Sequence, residues 1–330
     1  MIEYTRRDIR TFSMLGQAGS VCYALVELRK SDDSIIAVSA DLKGTSGFSR
    51  FASTFPDSFI NTGIAEQSMV GMSCGLAACG FKVVASSFAT FTSMRAGEFV
   101  RSAAAYMDLN VVTLGIGAGF AMGQFGNTHY AMEDIALMKA IPGLKVVSPI
   151  DGLEAAKAVE ALIDIGGPAY LRITGSTNAP IVHSEDYSFS LGKAECLKQG
   201  SADIALFVTG AVSYDALLAA KLLEQSGVDI MVYSFPTIKP LDTQAVSDVL
   251  NKCQLVFTVE EHSIIGGLGD SIASICASGS YDCEVVKLGI DDAFHTAGTR
   301  EYLLKQCGLD PDGIKNSVLT KIATNCSTSL

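Results

Sequence analysis

Short β-branched, apolar runs alternate with amphipathic stretches along most of this chain. The pattern predicts strands at 35–40 (IIAVSA), 82–88 (KVVASSF), 110–116 (NVVTLGI), 145–149 (KVVSP) and 168–173 (PAYLRI). Further strands are predicted at 203–210, 228–235, 254–260 and 284–290, and helices over 152–164 and 214–227. Strands this uniformly apolar belong in parallel sheets covered by helices on both faces. The expected fold class is therefore α/β, in two domains that each hold a mostly parallel, helix-flanked sheet. Ser, Thr, Pro and Gly gather at 174–194, which places a boundary near 185–190 and domains at 1–187 and 188–330.

One predicted helix lacks a polar face. The stretch 61-NTGIAEQSMVGMSCGLAACG-80 carries Glu66 at its mouth and then no charge until Lys82. A solvated helix would show a charged stripe, so this one is expected to be buried nearly all round. Glu66 is expected about three residues inside it, where an acid suits the positive end of the helix dipole. In a dry setting the same carboxyl group tends to a raised pKa and can share a proton with a ligand nitrogen. Gly71 and Gly75 would let a second backbone come close, within the chain or across an interface.

Other candidate residues cluster around the ends of predicted strands. Phe88 and Phe91 read either as core or as a stacking wall for a flat ring. His129 follows the glycine-rich run 115-GIGAGFAMGQFG-126 and precedes a helix, a place where backbone approaches a small ligand. Asp41 and Arg172 end predicted strands, at the edge where α/β sheets bind ligands; buried ion pairing is the alternative for each. His183 and His295 read as structural, and His262 as structural or interfacial.

Composition narrows the function classes. The 330 residues are 48% hydrophobic and 18% charged, which fits either a large enzyme core or a chain that hides surface in an oligomer. A formal net charge of -11 disfavours nucleic acid and anionic membrane surfaces as partners. The opening MIEYTRRDIR has no apolar signal-peptide core, and no run approaches a membrane span. Nine cysteines without a C-x-x-C pair read as reduced core thiols, so a cytoplasmic setting without a zinc site is expected. The run at 115–126 does not join a strand to a helix as a dinucleotide loop does, and no P-loop is present.

Several of these pieces together resemble the C-terminal half of transketolase-type thiamine diphosphate enzymes, over essentially the whole chain. The motifs are SADL (39–42), NTGIAEQ (61–67), FATF (88–91), G-x-TH (126–129), IPGLKVVSPID (141–151) and VEEHSIIGGLG (259–269). The resemblance implies a pyrimidine-binding domain followed by a transketolase C-terminal domain. It implies that Glu66 hydrogen-bonds N1′ of the cofactor's aminopyrimidine, with Phe88 and Phe91 as the ring's aromatic wall and Asp41 lining the cleft. His129 is implied to contact substrate oxygens and assist proton transfer, and Arg172 to bind a distal phosphate.

In that family a G-D-G…N motif on another domain holds the diphosphate and Mg²⁺. The nearest piece here, Gly269-Asp270-Ser271, lacks the second glycine. The implied arrangement is a split enzyme: a partner subunit supplies that motif and Mg²⁺, and an α2β2 assembly shares thiamine diphosphate across its interface. The expected reaction moves a two-carbon ketol unit from a ketose, phosphorylated or otherwise anionic, to an aldose. Phe125 stands where sugar-phosphate transketolases carry an aspartate, and glycine near Gly117 replaces a second family histidine, so the donor is expected to differ from the usual pentose phosphates. The alternatives are a β-type subunit of a 2-oxo acid dehydrogenase, a deoxyxylulose-phosphate synthase-like condensing subunit, and a non-catalytic assembly subunit.

Overall fold

In the computed structural model, which describes residues 2–174, 177–200 and 203–328, the apolar runs form two sheets. The first holds β1 (Ile35–Ser39), β2 (Phe59–Asn61), β3 (Lys82–Phe88), β4 (Val111–Ile116), β5 (Lys145–Val147) and β6 (Ala169–Arg172). The second starts with β7 (Glu195–Lys198), β8 (Ile204–Thr209) and β9 (Met231–Ser234). The chain then returns to the first sheet, where β10 (Thr237–Lys239) pairs antiparallel with β5. Strands β11 (Leu255–Ser263) and β12 (Glu284–Ile290) complete the second sheet.

The first sheet runs β10-β5-β6-β4-β3-β1-β2 and is parallel apart from β10. The second runs β12-β11-β8-β9-β7 and is parallel apart from the edge strand β7. The expected α/β class is what forms: two mostly parallel sheets flanked by helices. Around the first sheet lie α1 (Arg6–Arg29), α2 (Ser49–Thr54), α3 (Glu66–Ala78), α4 (Gly97–Phe99), α5 (Asp134–Lys139) and α6 (Gly152–Ile165). The second half adds α7 (Ser213–Gln225), α8 (Thr243–Leu250), α9 (Leu268–Ser278), α10 (Arg300–Gln306) and α11 (Pro311–Thr328). No helix among the described residues is long and apolar enough to cross a membrane.

Strand β1 shows how the layers are built. Ile35 and Ala37 share a core with Phe12 and Leu25 of α1 and Val159 of α6. Ile36 and Val38 point the other way, into a core with Met69 and Val70 of α3, as the two-residue period of a strand requires. That second core continues through Ile238 of β10 into Ala205 and Phe207 of β8, so the two halves share one apolar interior.

The order of the first sheet also sets where a ligand site can form. From β1 the chain leaves toward β2 on one side, whereas from β3 it leaves toward β4 on the other. The carboxyl ends of β1 and β3 therefore flank a topological switch point, where open α/β sheets leave a crevice.

The linker is held down by a buried histidine. His183 Nδ1 lies 3.1 Å from Asp151 Oδ2 and Nε2 lies 2.8 Å from Glu195 Oε2. Its ring stacks on Tyr187, whose hydroxyl donates to Glu154. Burial alone would push the imidazole down, but the hydrogen bonds to Asp151 and Glu195 carry its pKa up to about 10. Burial pushes neighbouring Glu154 up to about 7. A charged imidazolium thus ties α6 to β7. Because its folded pKa is raised, its stabilisation is complete below the unfolded value of about 6.5 and is lost as pH rises through about 10. Glu154, with a raised carboxyl pKa, changes in the same direction. His183→Gln should cost about 2 kcal/mol in urea unfolding near pH 6. The gap to the parent protein should narrow steadily as unfolding is repeated toward pH 10.

Candidate active site

Glu66 lies at the switch point. Gly63 turns with φ of +71°, Ala65 caps α3 without a side-chain hydrogen bond, and Glu66 is the first helical residue. The acid therefore sits at the mouth of α3 as expected, but as its first residue and not about three residues in. It is 2% exposed. Ser87 Oγ, on β3, donates to Oε1 at 3.2 Å, and Arg95 Nη1 donates to Oε2 at 2.8 Å. The chain thus compensates a buried carboxylate with one hydroxyl and one guanidinium.

Helix α3 itself is not buried all round. Met69, Val70, Ser73 and Cys74 face the core, while Ser68, Met72, Gly75 and Ala78 are exposed. Gly71 meets Phe99, whereas a side chain at Gly75 would meet nothing. The uncharged pattern predicts burial, and this chain supplies it on one face only.

Three rings form a wall beside the carboxylate. Phe88 ends β3, and Phe91 opens a π-helical turn, Phe91–Arg95. Their centroids are 5.9 Å apart and each lies 5.4 Å from the ring of His129, all edge-on. Under the wall, Ala89, Ala118 and Ala131 form a small buried cluster that lets the 117–131 loop lie close to the π turn. Thr128 Oγ1 engages His129 Nδ1 at 2.9 Å. Phe125, 64% exposed, lies 5.0 Å from His129 on its outer side. Gly117 has φ of +68°, and a Cβ there would crowd Met122 at 2.8 Å and Phe88 at 3.3 Å, so a side chain at this position would strain the backbone and displace Met122.

The structure brings Glu66, Phe88, Phe91 and His129 together, adds Arg95 and Ser87, and treats the remaining two differently. Asp41 stands exposed at the end of β1 with φ of 59°. It exchanges hydrogen bonds with Asn61, whose carbonyl also accepts from Gly63, so it pins the turn that delivers Glu66. Arg172 takes up the buried ion pairing that was its alternative reading. It is 1% exposed and makes a 2.8 Å ion pair with Asp134, with further hydrogen bonds to the carbonyls of Ala131 and Glu261. Strand β11 of the second sheet covers the edge where β6 ends, so this guanidinium ties the two halves together. Arg95 is the residue the pattern misses: its stretch is legible as aromatic, but a π turn has no sequence signature of its own.

A metal would find its best cluster elsewhere, at Glu154, His183 and Glu195, where hydrogen bonds already hold the ring nitrogens and carboxylates. At the switch point one carboxylate, one histidine and several rings offer a ring-binding surface instead.

Residues 20–178 match the transketolase pyrimidine-binding domain and residues 192–314 match the transketolase C-terminal domain. The chain belongs to the transketolase family. It is 36% identical to a 6-deoxy-6-sulfo-D-fructose transketolase subunit of Clostridium sp., over 86% of this chain and 88% of that protein. It is 33% identical to one subunit of the apulose-4-phosphate transketolase of Phocaeicola vulgatus, over 93% of this chain and 97% of the relative. A split-gene transketolase, solved as an inactive β4 tetramer, superposes with a TM-score of 0.83 at 34% identity, over 93% of this chain and 97% of the other.

Family membership implies thiamine diphosphate, and the residues present fit its aminopyrimidine. The guanidinium of Arg95 acts as a stand-in: a flat, hydrogen-bonding cation that meets Glu66 while lying 4.1 Å from the centroid of Phe91. A planar ring with a nitrogen toward the carboxylate asks for the same two contacts. The structural role of Arg172 is open to its own measurement. Arg172→Leu should lower stability by about 3–5 kcal/mol in thermal or urea unfolding, because Asp134 is left buried without its partner. The double variant Arg172→Leu/Asp134→Leu should recover part of that loss.

Proposed function

We propose that this chain is the C-terminal subunit of a split transketolase, which moves a two-carbon ketol unit from an anionic ketose to an aldose. The observation that carries the reading is the buried Glu66 carboxylate beside the Phe88–Phe91–His129 wall at the sheet's switch point. The proposed partner is an N-terminal subunit with the G-D-G…N motif and Mg²⁺, in a cytoplasmic α2β2 assembly that shares the cofactor. The proposed domains are a pyrimidine-binding domain at 1–187 and a transketolase C-terminal domain at 188–330. Exposed apolar residues near the mouth, Ile64, Met72, Met94 and Phe99, fit a face that another subunit covers. The β4 assembly of the split-gene neighbour supports self-association.

When bound, thiamine diphosphate supplies a carbon nucleophile and an electron sink for breaking a bond beside a carbonyl. Glu66 shares a proton with the ring nitrogen, in a setting where low dielectric strengthens the hydrogen bond. Phe88 and Phe91, set edge-on to each other, would wall the ring and keep water from it. Thr128 occupies His129 Nδ1, so Nε2 is the nitrogen left to meet a substrate oxygen and move a proton. Asp41 steadies the Asn61–Gly63 turn and through it the position of Glu66.

Relatives named for a phosphate ester and for a sulfonated sugar support an anionic donor. With Arg172 buried, the group that reads the anion lies elsewhere in the assembly. Phe125 gives the mouth an apolar rim next to His129, which fits a donor that presents no hydroxyl there.

Co-purified with its partner, the chain should transfer ketol units from sugar phosphates or sulfonates to an aldose, and the isolated chain should not. Glu66→Gln should lower kcat/KM by about 10²–10⁴-fold with unchanged circular dichroism. Full activity in Glu66→Ala, or turnover of 2-oxo acids in place of ketoses, would overturn the reading.

A further inference from the structure

Among the described residues, Arg95 is the charged side chain that contacts both Glu66 and the ring wall. Its Nη1 donates to Glu66 Oε2 at 2.8 Å and its guanidinium carbon lies 4.1 Å from the centroid of Phe91. A lysine ammonium could pair with the acid but has no flat face to lay on the phenyl ring. Glu98, three residues on in sequence, is already taken: Arg101 holds both of its oxygens at 2.8 and 2.9 Å. Arg95 is thus left to Glu66. Its side chain is 42% exposed, so it reaches the buried carboxylate from the solvent side and can swing back out without disturbing the core.

These contacts are the ones proposed above for the cofactor's aminopyrimidine: a hydrogen bond to Glu66 and packing against Phe91. A carboxylate oxygen can accept two hydrogen bonds, but the face of Phe91 that the guanidinium covers cannot hold a second flat group at the same time. We propose that Arg95 is a placeholder for the cofactor ring, filling the Glu66–Phe91 subsite in the cofactor-free chain and lowering cofactor affinity until it is displaced. This rests on the transketolase reading of Glu66. It also gives the isolated chain a way to keep a buried carboxylate compensated before a partner arrives. The apparent affinity of such a site is reduced by the fraction of chains in which Arg95 has swung away.

The test is calorimetric titration of thiamine diphosphate with Mg²⁺ into the reconstituted complex. Arg95→Gln and Arg95→Ala should each lower the dissociation constant by about tenfold, and Arg95→Lys by less, since it keeps the charge and loses the plane. On the parent complex, the NMR signal of the Arg95 Nε–Hε group should shift on cofactor addition to the position of a solvent-exposed arginine. Circular dichroism melts of each variant establish that it is folded, and the Nε–Hε shift needs no variant at all. An unchanged or weakened cofactor affinity in Arg95→Gln, or an Arg95 signal that does not move, would overturn the placeholder. Loss of turnover in Glu66→Gln alongside either of those results would leave the function intact and remove only this inference. Unimpaired turnover in Glu66→Gln would remove the function beneath it.

Discussion

A carboxylate buried at the mouth of a helix sets the terms for the rest of this molecule. Glu66 is almost fully removed from water, and α3 behind it offers no charge to help. The helix dipole supports it modestly. If Glu66 meets the cofactor ring as proposed, whatever else meets it has to be a donor that can later be exchanged. The fold meets that condition by placing the donor on the solvent side. Ser87 belongs to a central strand and stays; Arg95 stands on a π turn with its side chain half in solvent. The difference in rigidity between those two partners is what separates a structural acid from one held in reserve.

The second sheet contributes rigidity to this site through a run of three ionisable residues on β11. Glu261 accepts from the amide of Phe120 and from Arg300, and its own carbonyl accepts from Arg172. A side chain at Gly119 would collide with the Glu261 carboxylate at 2.6 Å, so the glycine is what lets these segments meet. Glu260 accepts from the first amides of α9, and burial pushes its pKa up to about 7. His262 is pushed down to about 4 by burial; as a neutral ring it donates from Nδ1 to Ser263 and accepts from Ala136. Together these groups clamp both ends of the segment that carries His129: Phe120 before it, Ala131, Asp134 and Ala136 after it. The second half thus acts on the site by fixing a loop, and places no described side chain of its own on the ring wall.

What the sequence made legible follows from how strong each local signal is. The long apolar strands β1, β3, β4, β8 and β12 declare themselves by composition, and the two helices read at 152–164 and 214–227 appear as α6 and α7. Strands β2, β7 and β10 are three or four residues long, too short for any period to show, and β10 joins the other half's sheet. Phe88, Phe91 and His129 stand out because strand ends and glycine-rich loops gather at a sheet's carboxyl edge. Arg172 stands at such an edge as well, yet its outcome depends on β11, whose Glu261 lies 89 residues further along the chain. Local pattern cannot tell a crevice from an edge that another domain will cover. Arg95 escapes the pattern for the opposite reason: its meaning arises from a turn geometry that residue types do not announce.

The exposed face of α3 fits the same physical picture. A helix with no charge after its first residue, buried on one side and bare on the other, leaves apolar surface in water when the protein stands alone. Ser68, Met72, Gly75 and Ala78 expose small and apolar surface next to Ile64, which is 78% exposed at the turn before Glu66. A covering surface would remove that apolar area from water and at the same time dry the mouth of the site. Drying strengthens any hydrogen bond to Glu66, whichever donor holds it. On the proposed reading, assembly and ring binding would act on the same few residues, because a surface that closed over α3 would also dry the carboxylate for which the guanidinium and a ligand compete.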